Sequence, residues 1–191
     1  FEDRKKWKEL GKGGFGVVYA VHGAKGGLFD GQKVAIKAAK NPRKKLLERE
    51  VDNFKSLQHE NIVEFKGYFN ENGVDYIVME LCKEGSIYRY KDEFDPEEVV
   101  PILRQLVNAL EYLHSKGICQ RDLTSGNVLI SRIREIEVMF QKLCDFGLSK
   151  VMQEGRAHHT MAGTPGYMAP EVMEGGVYSK EVDIYSLGCL L

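Results

Sequence analysis

The character of the chain changes once, near Glu84-Gly85, and that change limits the fold more than any single motif does. Before it, the β-branched or aromatic runs KWKELGKG, FGVVYAVH, KVAIKAA, IVEFKGYF and DYIVMEL are separated by clusters of Gly, Asn and Asp, the pattern of strands and turns. One stretch breaks the series. From Arg43 to Leu57, the residues Leu46, Leu47, Val51, Phe54 and Leu57 recur close to the helical period of about 3.6, with charges on the opposite side. After the change, Asp95-Pro96 followed by Glu98 reads as an N-cap, an N1 proline and a capping-box acid. Val99, Ile102, Leu103, Leu106, Leu110 and Leu113 then line one helical face, which Gly117 closes. Pro101 removes an amide donor near the first turns, so this helix is expected to start later or to bend there. The fold class expected is α+β: an antiparallel sheet plus one helix over residues 1–82, and a mainly helical lobe over 83–191. A short Gly-containing connector near residues 80–85 joins them, and clefts made by two such lobes commonly hold ligands.

At 191 residues the chain is long enough to bury a sizeable core, and its 43% hydrophobic and 29% charged content is that of a soluble globular protein. Its 27 Lys and Arg nearly cancel 28 Asp and Glu, so the balance asks for neither nucleic acid nor an anionic membrane as the main partner. The one basic run, Arg43 to Lys45, reads as a solvated helix start. Cys82, Cys119, Cys144 and Cys189 show no C-x-x-C pair and no zinc-finger spacing, which fits reduced thiols in a cytoplasmic protein. No stretch approaches the ~20 apolar residues of a membrane span, and the N-terminus lacks the apolar core of a signal peptide. The chain starts at Phe1 without an initiator Met, so a segment upstream is expected to have been removed.

LGKGGFGVVYA sets Gly11, Gly13 and Gly16 in a G-x-G-x-x-G pattern. The same pattern opens a dinucleotide-binding unit, but there the third glycine leads into a helix, whereas Gly16-Val17-Val18-Tyr19 continues as a strand. A glycine-rich hairpin can lay backbone N–H groups over a phosphate chain because no side chain blocks the approach. VAIK at residues 34–37 then puts Lys37 on the next strand, within reach of those phosphates.

With VAIK the chain resembles the protein kinase catalytic domain, and the later motifs arrive in that family's order. The resemblance implies that Lys37 holds the α- and β-phosphates of ATP and is paired by a helix glutamate. Glu50 matches by spacing to EVDNFKSLQHENIV, and Glu48 competes. Glu50 lies four residues before Phe54 and seven before Leu57, on the inward side of the helix. IVMELCKEG matches the interlobe connector, where backbone groups of Glu80 and Cys82 would read the adenine and Met79 would stand at the rear of the pocket. Leu10, Val18, Ala35 and Leu129 complete the implied nucleotide-binding set.

CQRDLTSGN, residues 119–127, matches His-Arg-Asp-Leu-x-x-x-Asn with Gln120 in the place of the His. The resemblance makes Asp122 the acceptor of the substrate hydroxyl proton and Asn127 a metal ligand. Arg121 would pair with a phosphate on the activation segment. The replaced His contributes packing beneath the site and a hydrogen bond to nearby backbone, for which glutamine can supply a donor. Thr124 stands where most serine/threonine kinases have a lysine that touches the transferring phosphate. CDFGLSK supplies Asp145 for Mg2+ and Phe146, whose packing sets the active arrangement. SRIREIEVMFQK, between these motifs, carries a few extra residues and reads as a lengthened strand hairpin.

HHTMAGTPGYMAPE resembles the end of a serine/threonine kinase activation segment, with Thr160 at the usual place of an activating phosphate and Thr164 placed to steady Asp122. SKEVDIYSLGCLL resembles the start of the family's central buried helix, with Asp183 anchoring the catalytic-loop backbone. The family pattern continues beyond this point, so the bilobal fold is expected to be truncated at its C-terminal end, leaving an apolar face around Ile184, Leu187, Leu190 and Leu191 partly exposed and Glu171 without its usual arginine partner. RDLT, the connector followed by Arg89-Tyr90, and H-x-T-M-x-G-T-P together resemble the Polo-like kinases, particularly the branch that starts centriole assembly.

The function implied is transfer of the γ-phosphate of Mg-ATP to a Ser or Thr of a protein substrate. The cofactors are ATP and Mg2+, with an upstream kinase or autophosphorylation acting at Thr160. The location implied is cytoplasmic, and centrosomal or centriolar through the Polo-like resemblance. The competing reading is a nucleotide-binding pseudokinase scaffold, motivated by Gln120, Thr124 and the absent helices. A dinucleotide-dependent enzyme would rest on the glycine pattern alone.

Overall fold

The computed structural model describes residues 1–14, 16–39, 44–133, 138–146, 149–151 and 161–190. They form two compact units: Phe1–Gln58 with Val63–Cys82, and His59–Ile62 with Lys83–Leu191.

The first unit is an antiparallel sheet and one helix. Its elements are β1 (Lys8–Gly13), β2 (Gly16–His22), β3 (Lys33–Ala39), α1 (Lys44–Lys55), β4 (Phe65–Glu71) and β5 (Val74–Glu80), with sheet order β1-β2-β3-β5-β4. Strand alternation gives the sheet two chemically different faces. Val21, Val34, Ile36, Tyr76 and Val78 are buried on one, with Trp7, Tyr19, Phe29 and Phe69 packed against them. Register sends their neighbours to the other face: Val18 pairs with Lys37, Lys37 with Ile77, and Ala35 with Met79. The hairpin between β4 and β5 turns at Asn72-Gly73, with φ of 53° and 78°, the left-handed pair that a tight two-residue turn needs. Ile62 and Val63, read from sequence as the start of a strand, lie before β4 and are buried. Ile62 instead makes an isolated bridge to Leu143 in the second unit. On α1, Val51 and Phe54 are buried, as is Leu57 just beyond its end.

The second unit carries β6 (Gly85–Ser86), α2 (Pro96–Ser115), β7 (Ile118–Cys119), β8 (Val128–Ile133), β9 (Val138–Leu143), β10 (Lys150–Val151), α3 (Pro170–Met173) and α4 (Glu181–Cys189). Helix α2 begins where the cap residues say it should, with the Asp95 amide donating to Glu98 Oε2 at 3.0 Å. The late start expected from Pro101 does not occur. Pro101 and Glu97, whose carbonyl would have received the missing bond, both face solvent, so water can satisfy that oxygen. Ile102, Leu106, Ala109, Leu110 and Leu113 form the buried stripe, and Gly117 leaves the helix at φ 70°, its amide donating to His114 O at 3.1 Å.

Strands β8 and β9 pair antiparallel from Val128↔Leu143 to Ile133↔Val138, as the hairpin expected for SRIREIEVMFQK requires, while residues 134–137 lie outside the described residues. A second buried cluster, Cys119, Ala169, Val172, Tyr178 and Val182, joins β7, α3 and α4. On α4 the expected exposed face is only partly so: Ile184 is exposed, Leu187 is buried and Leu190 is half-buried, while Leu191 lies outside the described residues. Among the described residues no helix is long and apolar enough to cross a membrane.

Leu106 is fully buried in the middle of the α2 stripe. Leu106→Ala is expected to lower the unfolding free energy by about 2–5 kcal/mol, read from urea titration.

Candidate active site

The loop between β7 and β8 hangs from one carboxylate. Asp183, fully buried on α4, accepts from the backbone amides of Gln120 at 2.9 Å and Arg121 at 2.8 Å, and its Oδ2 lies 2.8 Å from His114 Nε2. These bonds fix the start of the loop between β7 and β8, where Arg121 adopts a left-handed φ of 70°. The Arg121 guanidinium lies 5.5 Å from the centre of the Tyr178 ring, within cation–π range. Its phosphate partner expected at Thr160 lies outside the described residues.

Two residues on, Asp122 is buried and held at both oxygens. Thr164 Oγ1 donates to Oδ1 at 2.6 Å, and Asn127 Nδ2 donates to Oδ2 at 3.1 Å and to the Asp122 carbonyl at 2.8 Å. Donors on both oxygens fix the plane of the carboxylate without help from solvent. The segment bearing Thr164 is itself tied down: Tyr167 OH lies 3.0 Å from Ser125 Oγ, and Ser186 Oγ donates to Tyr167 O at 2.7 Å. Thr124 is buried beside this network.

The β8–β9 hairpin brings Asn127 and Asp145 together, because they flank its open end. The Cys144 amide donates to Asn127 O at 3.0 Å, directly beyond the Val128↔Leu143 pair. Asp145 takes φ 60°, a left-handed value unusual for a non-glycine residue. Beneath it lies Gln120, fully buried, whose Nε2 donates to Cys144 O at 3.1 Å and to Asp145 O at 3.0 Å. The donor expected from the substituted residue is therefore in place. Phe146 is buried, and Leu129 is half-buried on β8. Cys119 has no character of a nucleophile, since burial, then the nearby Asp183 charge, pushes its thiol well above the usual range.

In the first unit, register gathers Val18, Ala35, Lys37 and Met79 on one sheet face, with Lys37 only 5% exposed. Leu10 is exposed at an irregularity in the β1–β2 ladder. Gly16 is required by packing, because a Cβ there would come 2.2 Å from Ala38 O. Gly11 and Gly13 are not: a Cβ on either would meet nothing within 4 Å, so protein packing does not explain them. Glu80 donates its amide to Glu64 O at 2.9 Å, so any readout of a base by Glu80 falls to its carbonyl; Cys82 is buried. Glu50 lies on α1 with its side chain outside the described residues, and its competitor Glu48 is exposed.

The donor set suits a hard divalent cation. Asn127 turns its amide NH2 to Asp122, which leaves oxygen as its ligand atom, and Asp145 adds carboxylate oxygens. Among the described residues no group of three His, Cys, Asp or Glu could hold a metal, so a cation here would need oxygens from a bound phosphate as well. His114 and Tyr178 were not singled out from sequence. His114 meets Asp183 across 69 positions of chain, and neither residue carries a local marker of its partner.

Comparison with known proteins gives the family to which this fold belongs. The protein kinase domain model matches residues 4–191, and the chain belongs to that family. It is 41% identical over 188 residues to the "probable serine/threonine-protein kinase zyg-1" of Caenorhabditis briggsae, covering 96% of this chain and 26% of that protein. It is 36% identical over 197 residues to serine/threonine-protein kinase PLK4 of Xenopus laevis, covering 100% of this chain and 20% of that protein. It is also 40% identical over 192 residues to a "probable myosin light chain kinase" of Dictyostelium discoideum, covering 96% of this chain and 53% of that protein. The chain thus spans between a fifth and about half the length of these relatives.

Asp183→Ala would leave the buried Gln120 and Arg121 amides without their acceptor. The expected loss is about 2–4 kcal/mol of unfolding free energy by urea denaturation. A loss under about 1 kcal/mol would show that other contacts hold the loop.

Proposed function

We propose that this chain is the nucleotide-binding and catalytic part of a serine/threonine protein kinase. The observation that carries the reading is the Asp122 carboxylate, fixed at both oxygens by Thr164 and Asn127. A general base must be held within hydrogen-bond reach of the proton that it takes, and Asp122 is the group placed to accept the proton of a Ser or Thr hydroxyl. Bound Mg2+ and ATP supply the γ-phosphoryl group and neutralise charge on its oxygens. Lys37, oriented by Glu50, holds the α- and β-phosphates, and the backbone at Gly11, Gly13 and Gly16 covers the phosphate chain. Asn127 and Asp145 hold the metal. Leu10, Val18, Ala35, Met79 and Leu129 enclose the base, and backbone groups of Glu80 and Cys82 read its edge. Positioning and charge stabilisation of this kind carry most of phosphoryl transfer.

Thr160 is the proposed regulatory site, phosphorylated by an upstream kinase or by the protein itself, with Arg121 as the receiving cation. The resemblance of its motifs to the centriole-assembly branch of the Polo-like kinases is the ground for placing the protein in the cytoplasm at the centriole, and its similarity to serine/threonine-protein kinases supports a protein substrate. The pseudokinase alternative draws on Gln120, but that residue keeps donors on the backbone beside Asp145.

Phosphate transfer from labelled Mg-ATP to a mixed protein substrate, followed by phosphoamino-acid analysis, tests the reading. Label is expected on Ser or Thr, and Asp122→Asn is expected to lower it by about 100-fold or more. Equal labelling by the variant would remove Asp122 as base.

A further inference from the structure

We propose that Trp7 is a positioning residue for Lys37: from the outer face of the first unit's sheet its indole spans the two strands that flank β3, and so fixes the row in which the lysine stands. The inference rests on the kinase reading, which makes Lys37 the phosphate-binding group, and extends it to a residue on the opposite face of the sheet.

Lys37 has one cross-strand partner on each side, Val18 on β2 and Ile77 on β5. One step along the chain from these partners, strand alternation turns Tyr19 and Tyr76 to the other face. The Trp7 ring packs on both, its centre 5.6 Å from that of Tyr19 and 5.9 Å from that of Tyr76, edge-on to the second. Strands β2 and β5 are separated by β3 alone, a distance of about 9.5 Å, so a single ring in contact with both sets how far apart they stand. Beside the two tyrosines β3 contributes only Ile36 and Ala38, their register partners.

The indole is held in turn by the segment that carries it. Its Nε1 donates to Glu2 O at 3.2 Å, and the Glu2 amide donates to His22 O, at the end of β2, at 3.3 Å. The Arg4 guanidinium lies 5.4 Å from the centre of the Trp7 ring and 4.9 Å from that of Tyr76, and is ion-paired with Glu71 on β4. Phe1 stacks on Phe29 at 5.5 Å and on Phe69 at 5.6 Å. Residues 1–7 therefore form a strap tied to the sheet at β2 and at β4, and Trp7 is where the strap meets the rows next to Lys37. The ring is only half-buried, so its effect lies less in the area it hides than in the two strands it joins.

Lys37 meets the phosphates and not the base, so loss of its position should weaken ADP and spare adenosine. The test measures both ligands by calorimetry on the full-length protein, and amide exchange at residues 36–38 in the ligand-free state, for the wild type, Trp7→Ala and Trp7→Phe. For Trp7→Ala, ADP affinity should fall about tenfold, short of the roughly hundredfold that a misplacement of about 1 Å can cost, while adenosine affinity stays within about twofold. Exchange at 36–38 should rise, and Trp7→Phe should recover part of both effects. On a Lys37→Met background, Trp7→Ala should cost no further ADP affinity, as coupling of the two residues requires. Unchanged ADP affinity in Trp7→Ala, an equal loss of adenosine, or full additivity with Lys37→Met overturns the proposal. If Trp7→Ala does not fold, Trp7→Leu, which keeps apolar bulk without the aromatic ring, decides: ADP affinity and exchange both at the wild-type level would overturn it. If the wild type binds neither ligand, the kinase reading fails, and exchange still decides whether Trp7 holds the row of Lys37: a rise at 36–38 supports it and no rise overturns it.

Discussion

The buried carboxylate of Asp183 is the interaction on which the rest of the site depends. A charge so fully withdrawn from water is tolerated only when its lone pairs are used, and here two backbone amides and a histidine use them. The bonds run from a helix near one end of the described chain to a loop more than sixty positions earlier, so the loop takes its shape from tertiary structure. Gln120 and Asp122 inherit their positions from it. The first turns its amide under the backbone on either side of Asp145, and the second is met by Thr164 and Asn127.

Each unit sorts its chemistry by a simple geometric rule. In the first, strand alternation sends aromatic bulk to one face and Val18, Ala35, Lys37 and Met79 to the other. In the second, antiparallel pairing makes the open end of one hairpin deliver Asn127 and Asp145 together. Both sets of residues were named through the resemblance of their motifs to the protein kinases, and the strand pairing is the physical reason that they share a face or an end.

What was legible in the sequence, and what was not, follows the same division. The cap of α2, the continuation of the glycine pattern as a strand, the anchoring Asp183 and the donor role of Gln120 rest on local signals or on motifs of fixed spacing. IVEFKGYF misled at its start because a short buried apolar run has the same composition inside and outside a strand, and Ile62, with only an isolated bridge to Leu143, and Val63 lie before β4. Of the two outcomes expected from Pro101, a late start or a bend, the late start does not occur, because the cost of a proline in a helix depends on whether the orphaned carbonyl can reach water, which composition does not tell. Tyr178 beneath Arg121, and His114 against Asp183, are meetings between distant segments with no sequence marker.

The β8–β9 hairpin has one more consequence. Its paired rows run from Val128↔Leu143, next to Asn127 and close to Asp145, to Ile133↔Val138, and α2 reaches the ladder near that second end through Gln105 Nε2, which donates to Met139 O at 3.3 Å. Insertions that extend both strands in matched steps preserve which side chains face α2, while a one-residue slip would turn every side chain on the moved strand over. The ladder is held by its own pairing beside Asn127 and by α2 near the other end, so register is what a change of sequence along it has to preserve.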